Sequence, residues 1–263
     1  YMPWEWQPKL QKIAEDCGII LFSTPYDETA VNFLEKMDVP VYKIASFELV
    51  DIEFLKKVAE TKKPVIISKG MATIEEIELA LSTLRNNGAK DIALLHCVSS
   101  YPAKPEDMNL ITISDLEEKF RTVPGLSDHS LGITMSIESV AFGACVIEKH
   151  FTLKRSDGGP DSSFSIEPKE LKQLVESVRE AEKAIGKIQY GIIESELANI
   201  AGRRSLFVVR DIKAGQEFTT ENIRSIRPGY GLAPKFLPEI LGKKAAKDIE
   251  RGTPLNRGLV AKS

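Results

Sequence analysis

The three histidines of the chain, His96, His129 and His150, each follow a short apolar run. Neutral imidazole is a common ligand for divalent metals. His129 directly follows Asp128, and His150 comes two residues after Glu148, so carboxylate oxygens accompany both rings. Two imidazoles with oxygen ligands and open positions suit Mn²⁺, Fe²⁺ or Zn²⁺, and the spacing does not choose between them. We therefore predict a metal site on His129 and His150, and expect His96 to be structural or to support a ligand.

Hydroxyl side chains and an ammonium group form a second constellation at the ends of the apolar runs. Hydroxyls beside an ammonium make a suitable nest for a phosphate. Serine and threonine also end strands without any further role, so no single one of them carries the argument. Taken together they predict an anion site composed of Thr24, Lys43, Ser46, Ser68, Ser99 and Ser127.

The apolar runs that would position these residues recur about every 21 to 32 residues, which is the size of a βα unit. The runs lack alternating polar positions, as expected of parallel strands buried on both faces. Helical stretches lie between them: Thr73 with Glu76 and Ser114 with Glu117 fit the capping box, and Pro168 opens a long amphipathic helix. The predicted strands are residues 19–22, 41–45, 65–67, 92–95, 124–126 and 145–147.

Alternating strands and helices predict an α/β fold with a parallel sheet, closed as a barrel or open and doubly wound. An open sheet that binds nucleotides usually has a Gly-rich first turn, and neither G-x-G-x-x-G nor G-x-x-x-x-G-K-[ST] occurs. Nearly every predicted strand instead ends in polar residues, such as those from Lys43 to Glu48. Because barrels draw catalytic groups from many strand ends, we favour a TIM-type (β/α)8 barrel. Six strands are two fewer than eight, so we expect two βα units to precede residue 1.

The pattern changes after residue 186. Residues 1–186 form the predicted barrel domain, residues 187–202 a polar linker, and residues 203–263 a small β-rich domain whose short runs are broken by Gly and Pro. The last of these carries 13 Lys and Arg against 6 Asp and Glu, a net charge of +7, whereas residues 1–202 have a net charge of −10. The basic domain predicts either a solvated surface or the binding of an anionic partner.

Composition excludes several classes of protein. The chain has 43% hydrophobic residues, enough for a core, and its net charge of −3 lacks the basic excess of a nucleic-acid-coating protein. No apolar run approaches about 18 residues, and no basic-then-apolar leader opens the sequence, so we predict neither a membrane span nor export. Cys17, Cys97 and Cys145 are odd in number and have no paired spacing, which suits a reducing cytosol. We expect a cytoplasmic protein with no nucleic-acid or membrane partner.

Several motifs together resemble the sialic acid synthase family. They are STPYD at 23–27, YKIASFE at 42–48, ISKGM at 67–71, HCVSSYP at 96–102, GLSDH at 125–129 and EKHFT at 148–152. SIRPGYG at 225–231 and LGKKA at 241–245 resemble the family's C-terminal domain, which is similar to antifreeze proteins. Within the family, ASFE at 45–48, DGGPD at 157–161 and RPGYGL at 227–232 are most similar to the pseudaminic acid branch.

This resemblance implies a transferase that condenses phosphoenolpyruvate with the open-chain aldehyde of an acetamido sugar, releasing phosphate and forming a nine-carbon α-keto acid. In the pseudaminate branch the sugar is a 6-deoxy diacetamido hexose. The family's metal is usually Mn²⁺, with Mg²⁺ or Co²⁺ as alternatives. By resemblance, His129 and His150 bind that metal and act in catalysis with Lys43 and Glu148.

The resemblance also divides the remaining polar residues between the two substrates. The hydroxyls named above, with Lys43, fall at phosphoenolpyruvate-binding positions, and Tyr101, Asp161 and Arg227 fall near the sugar. Arg227 matches an arginine that the C-terminal domain of one subunit inserts into its partner's barrel, which implies a domain-swapped homodimer. Lys69 stands where the family usually has Thr or Ser, so we expect an extra positive charge at the phosphate pocket.

Other functions stay open on the sequence. The same family includes legionaminate, neuraminate and spore-coat polysaccharide synthases. A Glu and a Lys on the family's first two strands have no counterpart in these 263 residues. A non-catalytic fragment or a glycan-binding module is therefore the alternative from another class.

Overall fold

The computed structural model describes residues 2–262, so the first residue of the predicted barrel domain and the last residue of the predicted C-terminal domain lie outside the described residues. The chain forms two compact units, Tyr1–Lys187 and Ile188–Ser263. All of the predicted linker except Lys187 falls in the second unit, where Glu194–Gly202 forms a 3₁₀ helix.

The described part of the first unit contains one sheet of five parallel strands in the order β1-β2-β3-β4-β5. A helix follows each strand, as the spacing of the apolar runs predicts, and this is the arrangement of a TIM-type barrel. The elements are α1 Gln7–Asp16, α2 Glu28–Lys36, β1 Tyr42–Ile44, α3 Ile52–Ala59, β2 Val65–Ser68, α4 Ile74–Asn86, β3 Ile92–Cys97, α5 Thr112–Phe120, β4 Val123–Asp128, α6 Thr134–Ser139, β5 Val146–Lys149 and α7 Pro168–Ile185.

The main core lies between this sheet and the helices that follow its strands. Side chains alternate across a strand, so Tyr42 and Ile44 pack with the helices while Lys43 between them faces the other way. Helices α2 to α5 each contribute apolar side chains to the same cluster, among them Leu55 on α3 and Leu84 on α4. One face of the sheet is therefore dedicated to stability, which leaves the other face for polar groups.

One of the two predicted capping boxes is present. The Thr73 hydroxyl accepts from the Glu76 amide at 3.2 Å, and the Glu76 carboxylate accepts from the Thr73 amide at 2.8 Å. The box predicted at Ser114 is wrong, because a turn at residues 109–112 has already opened α5 at Thr112. The Ser114 hydroxyl instead donates to the Phe142 carbonyl at 2.9 Å.

The predicted strand at residues 19–22 is also wrong. Its apolar side chains are exposed, with Ile19 at 65% and Ile20 at 72%, and within residues 2–262 no strand pairs with this segment. The Ile19 amide bonds back to Ala14 at the end of α1 instead. An apolar run satisfies the side-chain requirement of a strand but not its need for backbone partners. The edge strand of the described sheet next to the chain's beginning is accordingly β1, and β5 forms the other edge.

At Gly125, strand β4 has no room for a side chain. A methyl group at this position would lie 2.5 Å from the Val146 carbonyl oxygen of β5 and 3.1 Å from the Val146 Cβ. The glycine thus lets β4 and β5 approach on the face that Lys43 also occupies. Ser127 and His129 follow on the same face at alternate positions.

The second unit is small and rich in β structure, as the sequence predicts. Strand β6, Ser205–Val208, pairs antiparallel with β7, Ile223–Ile226, and isolated bridges such as Ile212 with Ile249 connect the rest. The short helix α8, Leu237–Ile240, closes its core. Buried residues of that core are Leu206, Val208, Ile212, Phe218, Ile223, Ile240, Ala245, Ile249, Leu255 and Leu259.

The helices of the structure are too short or too polar to span a membrane. Within residues 2–262, none combines the length and the apolar character that crossing a bilayer requires.

His96 on β3 belongs to the core side of the sheet. It is 3% exposed, and its Nε2 bonds to the Met108 carbonyl at 2.5 Å. Its Nδ1 is buried without a partner in the described residues. Burial lowers the pKa of His96, because the charged imidazolium is poorly solvated there. This histidine is structural, as expected.

Stability should therefore fall as the pH is lowered through the range in which an unfolded histidine titrates. The folded pKa lies below the unfolded value of about 6.5, so the unfolded state binds more protons and gains stability as the pH falls. His96 can contribute at most about 1.4 kcal/mol of lost unfolding free energy by pH 5.5. Urea unfolding at pH 7.5 and 5.5 should show a smaller loss in His96→Gln than in the unmodified protein. Equal losses in the two proteins would contradict this assignment.

Candidate active site

The carboxyl ends of all five strands open on one cavity of about 430 Å³. Parallel strands end at the same edge of a sheet, so residues distant in sequence come together there. Of the twelve residues assigned to a site from the sequence, all except Ser99 and Arg227 line this cavity. Its lining consists of Thr24, Tyr26, Lys43, Ala45, Ser46, Phe47, Glu48, Ser68, Cys97, Tyr101, Ser127, His129, Glu148, His150 and Asp161.

Lys43 is the buried cation of the cavity. Only 7% of its side chain is exposed, and its ammonium donates to the Ser68 hydroxyl at 3.0 Å and to the Ile44 carbonyl at 3.1 Å. The Glu148 carboxylate lies 3.4 Å away, at the longest of the three distances. An ammonium has three donors, and all three are directed by these contacts. A ligand anion can therefore compete with Glu148 without disturbing the two shorter bonds.

Hydroxyl groups extend this network to both sides. The Ser127 hydroxyl donates to Glu148 at 2.7 Å, which fixes the carboxylate across β4 and β5. Ser46 and Ser99 lie 3.1 Å apart, hydroxyl to hydroxyl, so Ser99 supports the cavity wall through Ser46 without lining the cavity itself. Thr24 lines the opposite side, in the loop before α2. The structure therefore brings the predicted hydroxyls together, although Ser99 lies behind Ser46 and not on the cavity surface.

The imidazoles of His129 and His150 face each other with ring centroids 5.2 Å apart. His129 is buried, and its Nδ1 lies 2.9 Å from the Val98 carbonyl, to which only a protonated nitrogen can donate. Burial lowers the pKa of His129, so the neutral tautomer with a free lone pair on Nε2 is favoured. His150 Nδ1 lies 3.7 Å from the Asp161 carboxylate.

This pair fits the requirements of a divalent metal in part. A ligating histidine usually donates its second nitrogen to a carbonyl or carboxylate, and Val98 and Asp161 stand in those places. Among residues 2–262, however, no three His, Cys, Asp or Glu side chains are grouped so as to hold a metal. The donor set is thus two imidazoles, and further oxygen ligands would have to come from substrate or water.

Aromatic side chains surround the imidazoles. The Tyr101 ring lies 4.2 Å from the His129 ring, and the Phe164 ring lies 5.0 Å from the His150 ring, between centroids. Phe164 belongs to the segment that also carries Asp161, and its neighbour Ser165 is tied back to Asp161 by a hydrogen bond of 2.8 Å. The Tyr101 ring, with Phe164 packed behind it at 5.8 Å between centroids, therefore gives the cavity one apolar face, which is suited to the carbon face of a sugar.

Sequence reasoning missed several lining residues. Glu48 received no role, yet its Oε2 is buried and, within the described residues, has no partner. Phe47 and Tyr26 form exposed parts of the rim, and burial raises the pKa of the Cys97 thiol, which keeps it protonated. The signal that could have found Glu48 is its distance of five residues from Lys43 in a turn that leaves a strand end.

Two basic residues that the sequence analysis singles out, Lys69 and Arg227, do not line the cavity. Lys69 does not line the cavity: its ammonium donates to the Gly70 carbonyl at 3.2 Å, so the expected extra charge is absent from this surface. Side chains alternate along the chain, and Ser68 takes the inward place. Arg227 follows β7 in the second unit, where it is exposed, and in residues 2–262 its side chain makes no hydrogen bond or ion pair.

Parallel βα units whose strand ends converge on a cavity of mixed charge define an enzyme of the TIM-barrel class. The chain belongs to the NeuB family, which it matches over residues 1–190, and residues 203–258 match the SAF domain. It is 44% identical to pseudaminic acid synthase of Campylobacter jejuni, over 97% of this chain and 75% of that protein. It is 42% identical to N,N'-diacetyllegionaminic acid synthase of the same species, over 90% of this chain and 72% of that protein.

The fold is also similar to that of a solved structure of a sialic acid synthase. The N-acetylneuraminic acid synthetase of Leptospira borgpetersenii, crystallised with citrate, superposes with a TM-score of 0.71 at 37% identity. The superposition covers 76% of this chain and 70% of that one. This structural likeness agrees with the family that the sequence comparison shows.

Lys43→Met should weaken the binding of inorganic phosphate at least tenfold, because it removes the only buried ammonium among the lining residues. Titration calorimetry with phosphate measures this directly. Lys69→Met is the matched control, since it removes a half-buried lysine whose side chain lies off the cavity. Equal weakening by the two substitutions would show that Lys43 acts only through the overall charge.

Proposed function

We propose that this protein condenses phosphoenolpyruvate with the open-chain aldehyde of an acetamido sugar. The observation that carries the proposal is that one cavity contains both a buried lysine among hydroxyls and a pair of facing imidazoles. The sugar is a 6-deoxy diacetamido hexose and the product is pseudaminic acid. The 44% identity to a pseudaminic acid synthase supports this choice over the other branches of the family.

The phosphoenolpyruvate end of the cavity is the Lys43 network. The phosphate displaces Glu148 from the ammonium, while Ser68 and the Ile44 carbonyl hold the lysine in place. Ser46 and Thr24 add hydroxyl donors around the anion, while the Ser127 hydroxyl beside them donates to Glu148. In a site that excludes water, such fixed donors stabilise charge more strongly than solvent does.

The reaction balances without an added oxidant or reductant. C3 of phosphoenolpyruvate forms a bond to the aldehyde carbon, whose oxygen takes up a proton. Water adds to C2 and leaves a hydroxyl there. The bond from C2 to the phosphate oxygen then breaks, the C2 hydroxyl loses its proton to give the ketone, and inorganic phosphate leaves with that proton. Glu148, released from Lys43, is the carboxylate placed to take the proton from that water.

Tyr101 and Asp161 stand at the sugar end. Asp161 is an exposed carboxylate beside His150 and accepts hydrogen bonds from sugar hydroxyl or amide groups. The Tyr101 ring packs on His129 and offers an apolar face and a hydroxyl. Glu48, whose buried oxygen has no partner in residues 2–262, is a third acceptor within the cavity.

The cofactor we propose is a divalent metal, Mn²⁺ in preference to Mg²⁺ or Co²⁺, held by His129 and His150. When bound, such an ion supplies a Lewis acid that polarises a carbonyl. Val98 fixes the lone pair of His129 on Nε2, and Tyr101 packs against that ring. These contacts keep one imidazole oriented before any ligand arrives.

We also propose that two copies associate and that Arg227 reaches the sugar in the partner's cavity. Arg227 is exposed and belongs to a region with a net charge of +7, whereas residues 1–202 have a net charge of −10. Opposite charges favour such an association, and a twofold dimer would use the contact twice.

The three cysteines are all free, which agrees with a cytoplasmic location.

The decisive experiment incubates the protein with phosphoenolpyruvate, Mn²⁺ and one sugar at a time. We expect a nine-carbon α-keto acid, detected by mass, and one phosphate released per product with the 6-deoxy diacetamido hexose of the pseudaminate branch. Faster turnover with the sugar precursor of the neuraminate branch or of the legionaminate branch would reassign the sugar. No product with any of them would remove the synthase proposal.

Two substitutions control this assay. His129→Ala should abolish metal-dependent turnover while the protein stays folded. His96→Gln removes a histidine that faces the core rather than the cavity, so it should keep its metal dependence. Undiminished turnover in His129→Ala after chelation and Mn²⁺ repletion would exclude His129 from the metal site.

Arg227→Ala should raise the KM for the sugar at least tenfold with little change in the melting temperature, because the side chain is exposed within its own unit. Arg251→Ala, another exposed arginine of the same unit, is the control and should leave that KM unchanged. Sedimentation analysis gives the subunit number. A monomer with full activity would contradict the proposed exchange between subunits.

A further inference from the structure

Strands β4 and β5 present different chemistry on their two faces at one place. Ser127 lies opposite Glu148 and Asp128 lies opposite Lys149 in the parallel register. Because side chains alternate, the Ser127–Glu148 pair faces the cavity and the next pair along faces the helices. His129 and His150 come directly after that second pair and face the cavity again.

The helix-facing pair is a buried ion pair in which each charged group also makes further hydrogen bonds. The Lys149 ammonium lies 2.8 Å from the Asp128 carboxylate, and the two side chains are 4% and 0% exposed. Asp128 also accepts from the Ser130 amide at 2.8 Å and from the Ser136 hydroxyl at 2.5 Å. Lys149 also donates to the Ser130 carbonyl at 2.5 Å. The Ser139 hydroxyl in turn donates to the Ser136 carbonyl at 2.7 Å.

Stability alone does not account for this arrangement. Burying two charges costs desolvation that their attraction barely offsets, and apolar residues of similar volume often serve the fold as well. Buried ion pairs are better suited to specifying one geometry among several. The pair is therefore expected to specify the geometry of the backbone that it contacts.

The backbone of His129 is the segment that the pair encloses. Asp128 binds the amide of Ser130, and Lys149 binds the carbonyl of the same residue, so the chain is held immediately before and after His129. The same lysine directly precedes His150 and ties its strand end to β4. The backbone segments that carry the two imidazoles are thus held by one ion pair on the opposite face of the sheet.

We propose that Asp128 and Lys149 are positioning residues that hold the His129 and His150 rings in their facing arrangement. Asp128 fixes the turn that carries His129, and Lys149 fixes the distance between the two strand ends. Neither side chain lines the cavity, so neither touches a substrate there. The catalytic consequence of the pair rests on the proposed function, whereas its effect on the rings does not.

The test uses the double variant Asp128→Asn/Lys149→Met, which removes both charges while keeping side chains of similar size. The sequence has three histidines, so ¹⁵N-histidine NMR gives one set of ring signals for each. We expect His129 to lose its single Nδ1–H tautomer, and Mn²⁺ to broaden the His129 and His150 signals only at about tenfold higher concentration. The kcat should fall about tenfold, with the KM for phosphoenolpyruvate within twofold.

The matched control is Lys213→Met/Asp248→Asn. Asp248 accepts from Lys213 at 2.8 Å and from the Ala214 amide at 2.8 Å, so an ion pair and a backbone bond are again lost, but in the second unit and at the surface. Ring signals and kcat should both stay unchanged in the control. A folded Asp128→Asn/Lys149→Met protein with an unchanged His129 tautomer would overturn the proposal, whatever its rate.

Ser136→Ala decides the matter if the double variant does not fold. It removes one donor to Asp128, leaves both charges in place and puts a better helix former on α6. A shifted His129 signal in this variant supports the proposal, and a signal identical to that of the unmodified protein overturns it. If the unmodified protein makes no nine-carbon product, the proposed function fails, while the ring signals still test the positioning.

Discussion

The parallel register between β4 and β5 is the constraint on which the cavity depends. If β5 were shifted by one residue against β4, Glu148 and His150 would turn toward the helices and Lys149 would enter the cavity, while Ser127 and His129 would stay on the cavity face. Hydrogen bonds fix this register on both faces, through Ser127 with Glu148 on one side and the ion pair on the other. The chemistry of the cavity is thus decided by a choice of pairing that involves four residues.

The cavity is lined by more carboxylates than basic side chains. Glu48, Glu148 and Asp161 line it, while Lys43 is the single Lys or Arg side chain among the described lining residues. A doubly charged phosphate would add to this excess of negative charge. Either a cation at the imidazoles or an arginine from elsewhere would restore the balance. The proposals for a metal and for Arg227 therefore answer the same electrostatic requirement.

The sequence predicts the sheet well and the cavity in part. Five of the six predicted strands form, because continuous apolar runs at βα spacing are a strong signal. Residues 19–22 carry the same signal but have no backbone partner in the described chain, and pairing cannot be read from one segment alone. Strand-end position identified Lys43, His129 and Glu148 correctly as cavity residues.

Other features depend on geometry that the sequence does not contain. Lys69 and Ser68 are adjacent strand-end residues, and only the phase of the strand decides which one faces inward. Glu48 lies beyond its strand, in a turn whose path is set by packing. Ser99 does not line the cavity but contacts two residues that do, Ser46 and Cys97. The sequence predicts the Asp128 carboxylate beside the His129 ring, whereas in the structure Asp128 faces the helices and pairs with Lys149, a residue 21 positions away that the sequence does not connect with it.

Gly125 shows that a residue can be indispensable without taking part in chemistry. The Val146 carbonyl and the Leu95 side chain occupy the space that any larger residue would need, so a single added carbon would push β5 from β4. A side chain at position 125 is therefore incompatible with this spacing of β4 and β5. A residue without a side chain thus limits which substitutions this pair of strands can accept while it keeps the cavity.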